Sequence, residues 1–164
     1  MLQVVSPSFF RRMKKSSPSE KNSKKILIAS DHAGFVLKQF LIAELTKLGF
    51  KLVDLGCDSA EKSVDYPDYA NKLCKKISEK ELGILVCGSG IGISIAANRF
   101  KNIRAALCHN AKVAKLARAH NDANVICLGS RIITAKTALA AVKAFLKTDF
   151  EEGRHGYRVA KLSK

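Results

Sequence analysis

Two side chains that could do chemistry, the thiol of Cys87 and the hydroxyl of Ser89, sit two residues apart inside a run with glycine at 88, 90 and 92. A thiolate can act as a nucleophile or a base, provided something nearby stabilises its charge. The apolar run Ile84 to Val86 stops at Cys87, and Ile91, Ile95 and Ala96 then recur with helical spacing, so the segment predicts a buried strand, a tight loop and a helix. Glycines let backbone N–H groups approach a ligand closely, and a helix N-terminus adds partial positive charge. Such a loop suits an anion, or an oxygen that becomes anionic during a reaction. It is not a dinucleotide fingerprint, which needs G-x-G-x-x-G where the chain offers G-x-G-x-G, nor a nucleotide-hydrolase loop, which needs G-K-[ST]. A cysteine phosphatase would close the loop with an arginine, and the nearest is Arg99, a helix's length away. The same spelling also fits a buried strand-end cysteine before a glycine turn, since cysteine is among the residues most often buried.

Other candidates lie elsewhere along the chain. Asp31-His32 follows the apolar run Ile26 to Ala29 and precedes Phe35, Leu37, Phe40, Leu41, Leu45 and Leu48 at helical spacing, with Gly49 as the stop. Asp31 could simply cap that helix. His32, beside it at the end of a strand, favours a ligand-binding role. His120-Asn121-Asp122 joins a helix to the next strand, which puts His120 at the edge of the sheet opposite the strand ends; an interface would be needed to bring it to a neighbour's loop. His109, after the fourth strand, is better placed within one subunit and is a further candidate substrate contact. Arg154 and Arg158 share one face if the tail is helical, and two guanidiniums so placed fit a phosphate with forked, charge-assisted hydrogen bonds. A solvated surface charge pair reads the same way.

The elements that must hold these residues alternate. Strands are expected at Ile26–Ala29, Lys51–Leu55, Ile84–Cys87, Arg104–Cys108 and Val125–Leu128, with helices between them starting near Phe35, Pro67, Ile91 and Ala111, and a last one at Ala135–Leu146. Five strands alternating with helices predict an α/β fold: a three-layer, Rossmann-like arrangement with a five-stranded parallel sheet and a C-terminal helical tail. Ligands then bind beyond the carboxyl ends of the strands, where Asp31-His32 and Cys87-Gly88-Ser89 can meet.

At 164 residues the chain is sized for a single domain. Residues 1–24 are expected to be a basic N-terminal extension and 25–164 the catalytic domain. The extension is rich in serine and clusters Arg11, Arg12, Lys14 and Lys15, a composition that fits a disordered tail or an organelle-targeting peptide. Five cysteines without a C-x-x-C pair argue for free thiols in a reducing compartment, hence a cytoplasmic protein unless the extension directs it to an organelle, and against structural zinc. No apolar run approaches a membrane span, so no membrane partner is expected. The net charge of +15 divides into +6 over residues 1–25, −1 over 26–98 and +10 over 99–164. The core of the chain is nearly neutral, and without aromatic interleaving or a nucleic-acid motif the basic C-terminal third suits a small phosphorylated substrate; nucleic acid is not expected as a partner.

Taken together, Asp31-His32-Ala33-Gly34, Asp65-Tyr66-Pro67, Cys87 to Gly92 with Ala96-Ala97-Asn98, His120-Asn121-Asp122 and Gly153-Arg154-His155 resemble the ribose-5-phosphate isomerase type B family over about residues 25–160. The resemblance implies an aldose–ketose isomerase of the pentose phosphate pathway that interconverts ribose 5-phosphate and ribulose 5-phosphate through an enediolate, with no metal and no cofactor. Residue by residue, it makes Cys87 the base and gives the enediolate oxygen to Ser89 and the loop amides around Gly88, Gly90 and Gly92. His120 would open the furanose ring, Asp31 and Asn121 would bind sugar hydroxyls, and Tyr66 would lie near the ring. Arg154 and Arg158, with His32 and Arg131, would hold the phosphate. The family's members are homodimers or larger assemblies, tetramers included, with sites shared between subunits, which would resolve the position of His120. The family's usual threonine is Ser89 here, and where one branch carries a glutamate base in place of the cysteine this chain has Ile93. The alternatives are a related isomerase acting on a six-carbon sugar phosphate such as allose or galactose 6-phosphate, which would use the same loop, and a non-catalytic phosphosugar-binding module, against which intact Cys87 and His120 argue.

Overall fold

A computed structural model describes residues 25–162; the expectation for residues 1–24 falls outside them. Five parallel strands, β1 (Lys25–Ser30), β2 (Lys51–Asp54), β3 (Leu82–Cys87), β4 (Ala105–Leu107) and β5 (Val125–Gly129), form one sheet in the order β2-β1-β3-β5-β4. Helices α1 (Phe35–Lys47), α2 (Tyr66–Lys76), α3 (Ile91–Ala97) and α4 (Ala111–Asn121) connect the strands, and α5 (Ala135–Lys147) and α6 (Arg154–Ala160) follow β5. The α/β architecture expected from the sequence is the one observed. Among the described residues, no helix is long and apolar enough to cross a membrane.

Side-chain alternation along the strands divides the core into two layers. Ile26, Ile28, Ile84, Val86, Ile126 and Leu128 face α1, α4 and α5, which bury Leu41, Leu45, Ala114, Ala117, Val142 and Phe145. Leu27, Ala29, Leu85, Cys87, Val125 and Cys127 face α2 and α3, which bury Leu73, Cys74, Ile93 and Ala97. Each large apolar side chain so buried contributes about 1.5–3 kcal/mol of transfer free energy, so both faces must stay covered.

This layering positions the site. The helix after β1 lies on one face and the helix after β3 on the other, so the chain diverges beyond the neighbouring carboxyl ends of β1 and β3 and leaves a crevice there. Gly49 terminates α1 in a left-handed conformation, φ 85°. Asn110 and Thr134 cap α4 and α5, accepting hydrogen bonds from the N–H groups of Val113 and Thr137.

Candidate active site

The ends of three neighbouring strands, β1, β3 and β5, enclose a cavity of about 330 Å³ lined by Asp31, His32, Ala33, Tyr66, Cys87, Gly88, Ser89, Gly92, Arg131 and Ile132. Cys87 ends β3 with its side chain directed toward the α2/α3 face. The Gly90 N–H donates to Cys87 Sγ at 3.1 Å, and the Ile91 N–H donates to Ser89 Oγ at 3.2 Å. The N–H aimed at sulfur fixes the Cys87 side chain against the loop. Gly90 achieves this with φ 79°, where a side chain would also strike Leu107 and the backbone at Leu128. Its amide serves the thiol, and Gly90 does not itself line the cavity. Gly92 lies under the Tyr66 ring, within 2.5 Å of where a Cβ would sit, so glycine here lets Tyr66 form the cavity wall.

On the β1 side, the Gly34 N–H donates to Asp31 Oδ1 at 2.9 Å and closes the turn before α1. Asp31 therefore shapes the turn, while the N-cap position of α1 itself is Gly34. Gly34 passes so close to β3 that a Cβ would come within 2.6 Å of the Val86 carbonyl oxygen. Val64 holds the His32 ring through Nδ1, which lies 3.1 Å from the Val64 N–H and 3.2 Å from the Val64 carbonyl oxygen, and Nε2 is not engaged by this backbone contact.

Sequence reasoning missed the part played by the turn after β5. The Ser130 and Arg131 N–H groups donate to the Cys87 and Gly88 carbonyls, both at 2.9 Å, and Ser130 Oγ donates to the Ala33 carbonyl at 2.8 Å. This turn therefore holds the β1 and β3 loops together and brings Arg131 into the cavity. The loop packs so tightly on Gly129 that a Cβ there would collide with the Ser89 carbonyl. The pair Gly129-Ser130 was the available signal, a small residue and a turn-forming hydroxyl at a strand's carboxyl end.

His120, Asn121, Arg154 and Arg158 do not join this cavity in the same chain. His120 lies in the last turn of α4, before β5 begins. It stacks on His155 of α6, with ring centroids 4.2 Å apart and planes inclined by 7°, and its Nε2 is 3.5 Å from Glu151 Oε2. Burial first, then the neighbouring His120 ring and the Arg154 and Arg158 guanidiniums, push the His155 pKa below the usual histidine value, with Glu151 opposing. The ligand-type atoms of His120, Glu151 and His155 lie within 4.8 Å of one another. Stacked imidazoles aim their in-plane lone pairs along parallel directions, so one ion could bind both rings only if a ring turned. Asn121 lines a separate cavity of about 460 Å³ with Arg99, Lys101, Arg104 and Leu162. His109 is exposed and borders neither cavity.

The family described as Ribose/Galactose Isomerase matches residues 26–162. Ribose-5-phosphate isomerase B of Escherichia coli is 43% identical over 85% of this chain and 95% of its own. Among solved structures, ribose 5-phosphate isomerase B from Anaplasma phagocytophilum superposes with a TM-score of 0.82 at 52% identity, covering 86% of this chain and 97% of that one. The Mycoplasma genitalium ribose-5-phosphate isomerase B, solved with bound ribulose-5-phosphate, gives a TM-score of 0.80 at 45% identity over 86% of this chain and 95% of that one. With a match running from the second residue of β1 to the end of the described tail, the chain belongs to the Ribose/Galactose Isomerase family.

Proposed function

We propose that this chain is an aldose–ketose isomerase that interconverts ribose 5-phosphate and ribulose 5-phosphate. The observation that carries the reading is Cys87 at the end of β3, its sulfur receiving the Gly90 N–H, beside a cavity shared with Asp31, His32, Tyr66, Ser89 and Arg131. Moving a proton between C1 and C2 needs a base over that bond, and Cys87 is placed to be it. As the proton leaves, negative charge grows on the neighbouring oxygen, and the Ser89 hydroxyl with the backbone of Gly88 and its neighbours is positioned to stabilise it. A single donor of this kind is typically worth about 10²–10³ in rate, and well-placed acid–base help about 10²–10⁴. Asp31 would bind a sugar hydroxyl, and His32 and Arg131 would receive the phosphate.

The site is completed by a second copy of the chain in a homodimer. His120 and Asn121 would come from that copy to open the furanose ring and bind its hydroxyls, and Arg154 and Arg158 to grip the phosphate. What supports this is exposed apolar area: Ile132, which lines the Cys87 cavity, is 64% exposed, and Ile91 and Ile95 of α3 are 54% and 59% exposed, surface that an approaching subunit would cover. The cysteines at 57, 74, 87, 108 and 127 are free and buried, which fits a reducing compartment such as the cytoplasm.

Incubation in heavy water with ribose 5-phosphate should exchange the proton at C2, and a panel of pentose and hexose phosphates reports the preferred substrate in the same assay. Absence of exchange with every sugar phosphate would refute the reading. Sharing of the site is tested by co-refolding Cys87→Ala chains with Arg154→Ala/Arg158→Ala chains, differently tagged. Each mixed dimer has one intact site, so activity should return to roughly a quarter of wild type for random pairing. Mixed dimers as inactive as the parents would place the arginines outside the partner's site.

A further inference from the structure

Lys38 is among the largest fully buried side chains of the described residues, with no exposed area, although it lies on a surface helix. Its ammonium reaches both carboxylate oxygens of Asp54 at 2.6 Å, and Asp54 is the last residue of β2. The pair is connected onward. Asp54 Oδ1 also accepts the Gly56 N–H at 2.9 Å, the Gly56 carbonyl accepts the Ser30 N–H at 2.8 Å, and the Cys57 N–H donates back to the Ser30 carbonyl at 2.8 Å. Ser30 precedes Asp31 directly. At the other end of the same segment, Val64 holds His32 Nδ1. The N–H of Lys38 itself donates to the Gly34 carbonyl at 2.9 Å, at the close of the Asp31–Gly34 turn.

We propose that Lys38 and Asp54 are positioning residues of the active site. The ion pair fixes the path of the chain leaving β2, and that path sets both the β1 exit that carries Asp31 and the support of the His32 ring. Two observations argue against a role confined to stability. A buried ammonium is costly to desolvate, and an apolar side chain of similar length would fill the site without that cost. Moreover, the oxygen that binds Lys38 also binds Gly56, so the pair fixes a backbone geometry that packing alone would leave loose.

The functional half of the proposal rests on the reading that Asp31 and His32 bind the sugar phosphate, and the test separates the two. Lys38→Met removes the charge and keeps an unbranched stem; Asp54→Glu keeps the ion pair and displaces the acceptor of Gly56 by one methylene. Leu146→Ala, in the last turn of α5, provides a variant weakened by core loss alone. Both clamp variants should raise KM for ribose 5-phosphate about tenfold while kcat falls less than about threefold, because binding contacts move and the base does not. Leu146→Ala, compared at equal loss of melting temperature, should leave KM unchanged. Ring ¹⁵N shifts of His32 should differ from wild type in either clamp variant, because the Val64 backbone that holds Nδ1 moves with the segment after β2. Should Lys38→Met not fold, Asp54→Glu carries both measurements. KM within twofold of wild type together with an unaltered His32 ring overturns the proposal, as does an equal KM rise in Leu146→Ala. A wild-type protein inactive on ribose 5-phosphate would overturn the function instead, and the His32 shifts would still decide the clamp.

Discussion

Gly129→Ala should damage catalysis out of proportion to its effect on stability. A Cβ at position 129 would collide with the Ser89 carbonyl oxygen and stand 2.6 Å from the Ser89 carbonyl carbon, where ordinary contact begins at 3.4 Å. Both obstructing atoms are backbone, so no change of rotamer relieves the overlap; the Cys87–Gly90 loop or the end of β5 must move by roughly 1 Å. Overpacking of this kind costs about 1–3 kcal/mol, and for a chain of this size each kcal/mol lowers the melting temperature by roughly 2–4 °C. The same movement carries Ser89 and Cys87 away from the reacting carbons, and a misplacement of about 1 Å can cost about 10² in rate. Steady-state formation of ribulose 5-phosphate, read beside thermal melting followed by circular dichroism, separates the two effects. A variant that melts several degrees lower yet keeps kcat within about threefold of wild type would refute the argument that Gly129 sets the position of the loop.

Cys87→Ala should abolish proton exchange into solvent while ribose 5-phosphate still binds, as read by calorimetry. Iodoacetamide at pH 8 should label Cys87 in preference to Cys74 and Cys108, because burial pushes both of those thiols up to about 12 and leaves about one part in 10⁴ as thiolate; mass mapping of the labelled peptides checks it. His155 gives a pH prediction. Its folded pKa lies below the unfolded value near 6.5, so the folded state binds fewer protons, and the stability linked to it is full above about pH 6.5 and lost as the pH falls through the folded pKa. His155→Gln should flatten the fall in melting temperature between about pH 7 and 5. Thr134→Ala removes the hydroxyl that caps α5 and should cost about 0.5–2 kcal/mol in denaturant unfolding without altering kcat.

The central strands were legible because both faces of the sheet are covered, which makes them nearly continuous apolar runs: Leu27, Ala29 and Leu85 face one helix layer, and Ile28, Ile84 and Val86 the other. Boundaries shifted by a residue or two, as with β1, which runs on to Ser30 because its N–H and C=O pair with the chain after β2. The glycine loop was legible as a loop, but the separate tasks of its glycines were not. Which amide serves the sulfur and which glycine lies under an aromatic ring depends on Tyr66 and Leu107, distant neighbours that no local pattern names. Contacts between remote positions stayed hidden for the same reason. Ser130 meets Ala33 across 97 positions, and Lys38, beside Leu37 on a surface helix, reads as a solvated charge until Asp54 is brought against it.

Under the proposed sharing of the site between two copies, the placement of Cys87 at one end of the sheet and of His120 before the other has a consequence for how activity depends on concentration. The two are separated by the length of β5, five residues, or about 16 Å at the usual rise, and no rotamer change in one chain closes that gap. A lone folded chain would then be inert however stable it is. Turnover per chain would stay constant while the protein is plentiful and fall on dilution past the dissociation constant of the pair, the total rate becoming second order in chain concentration.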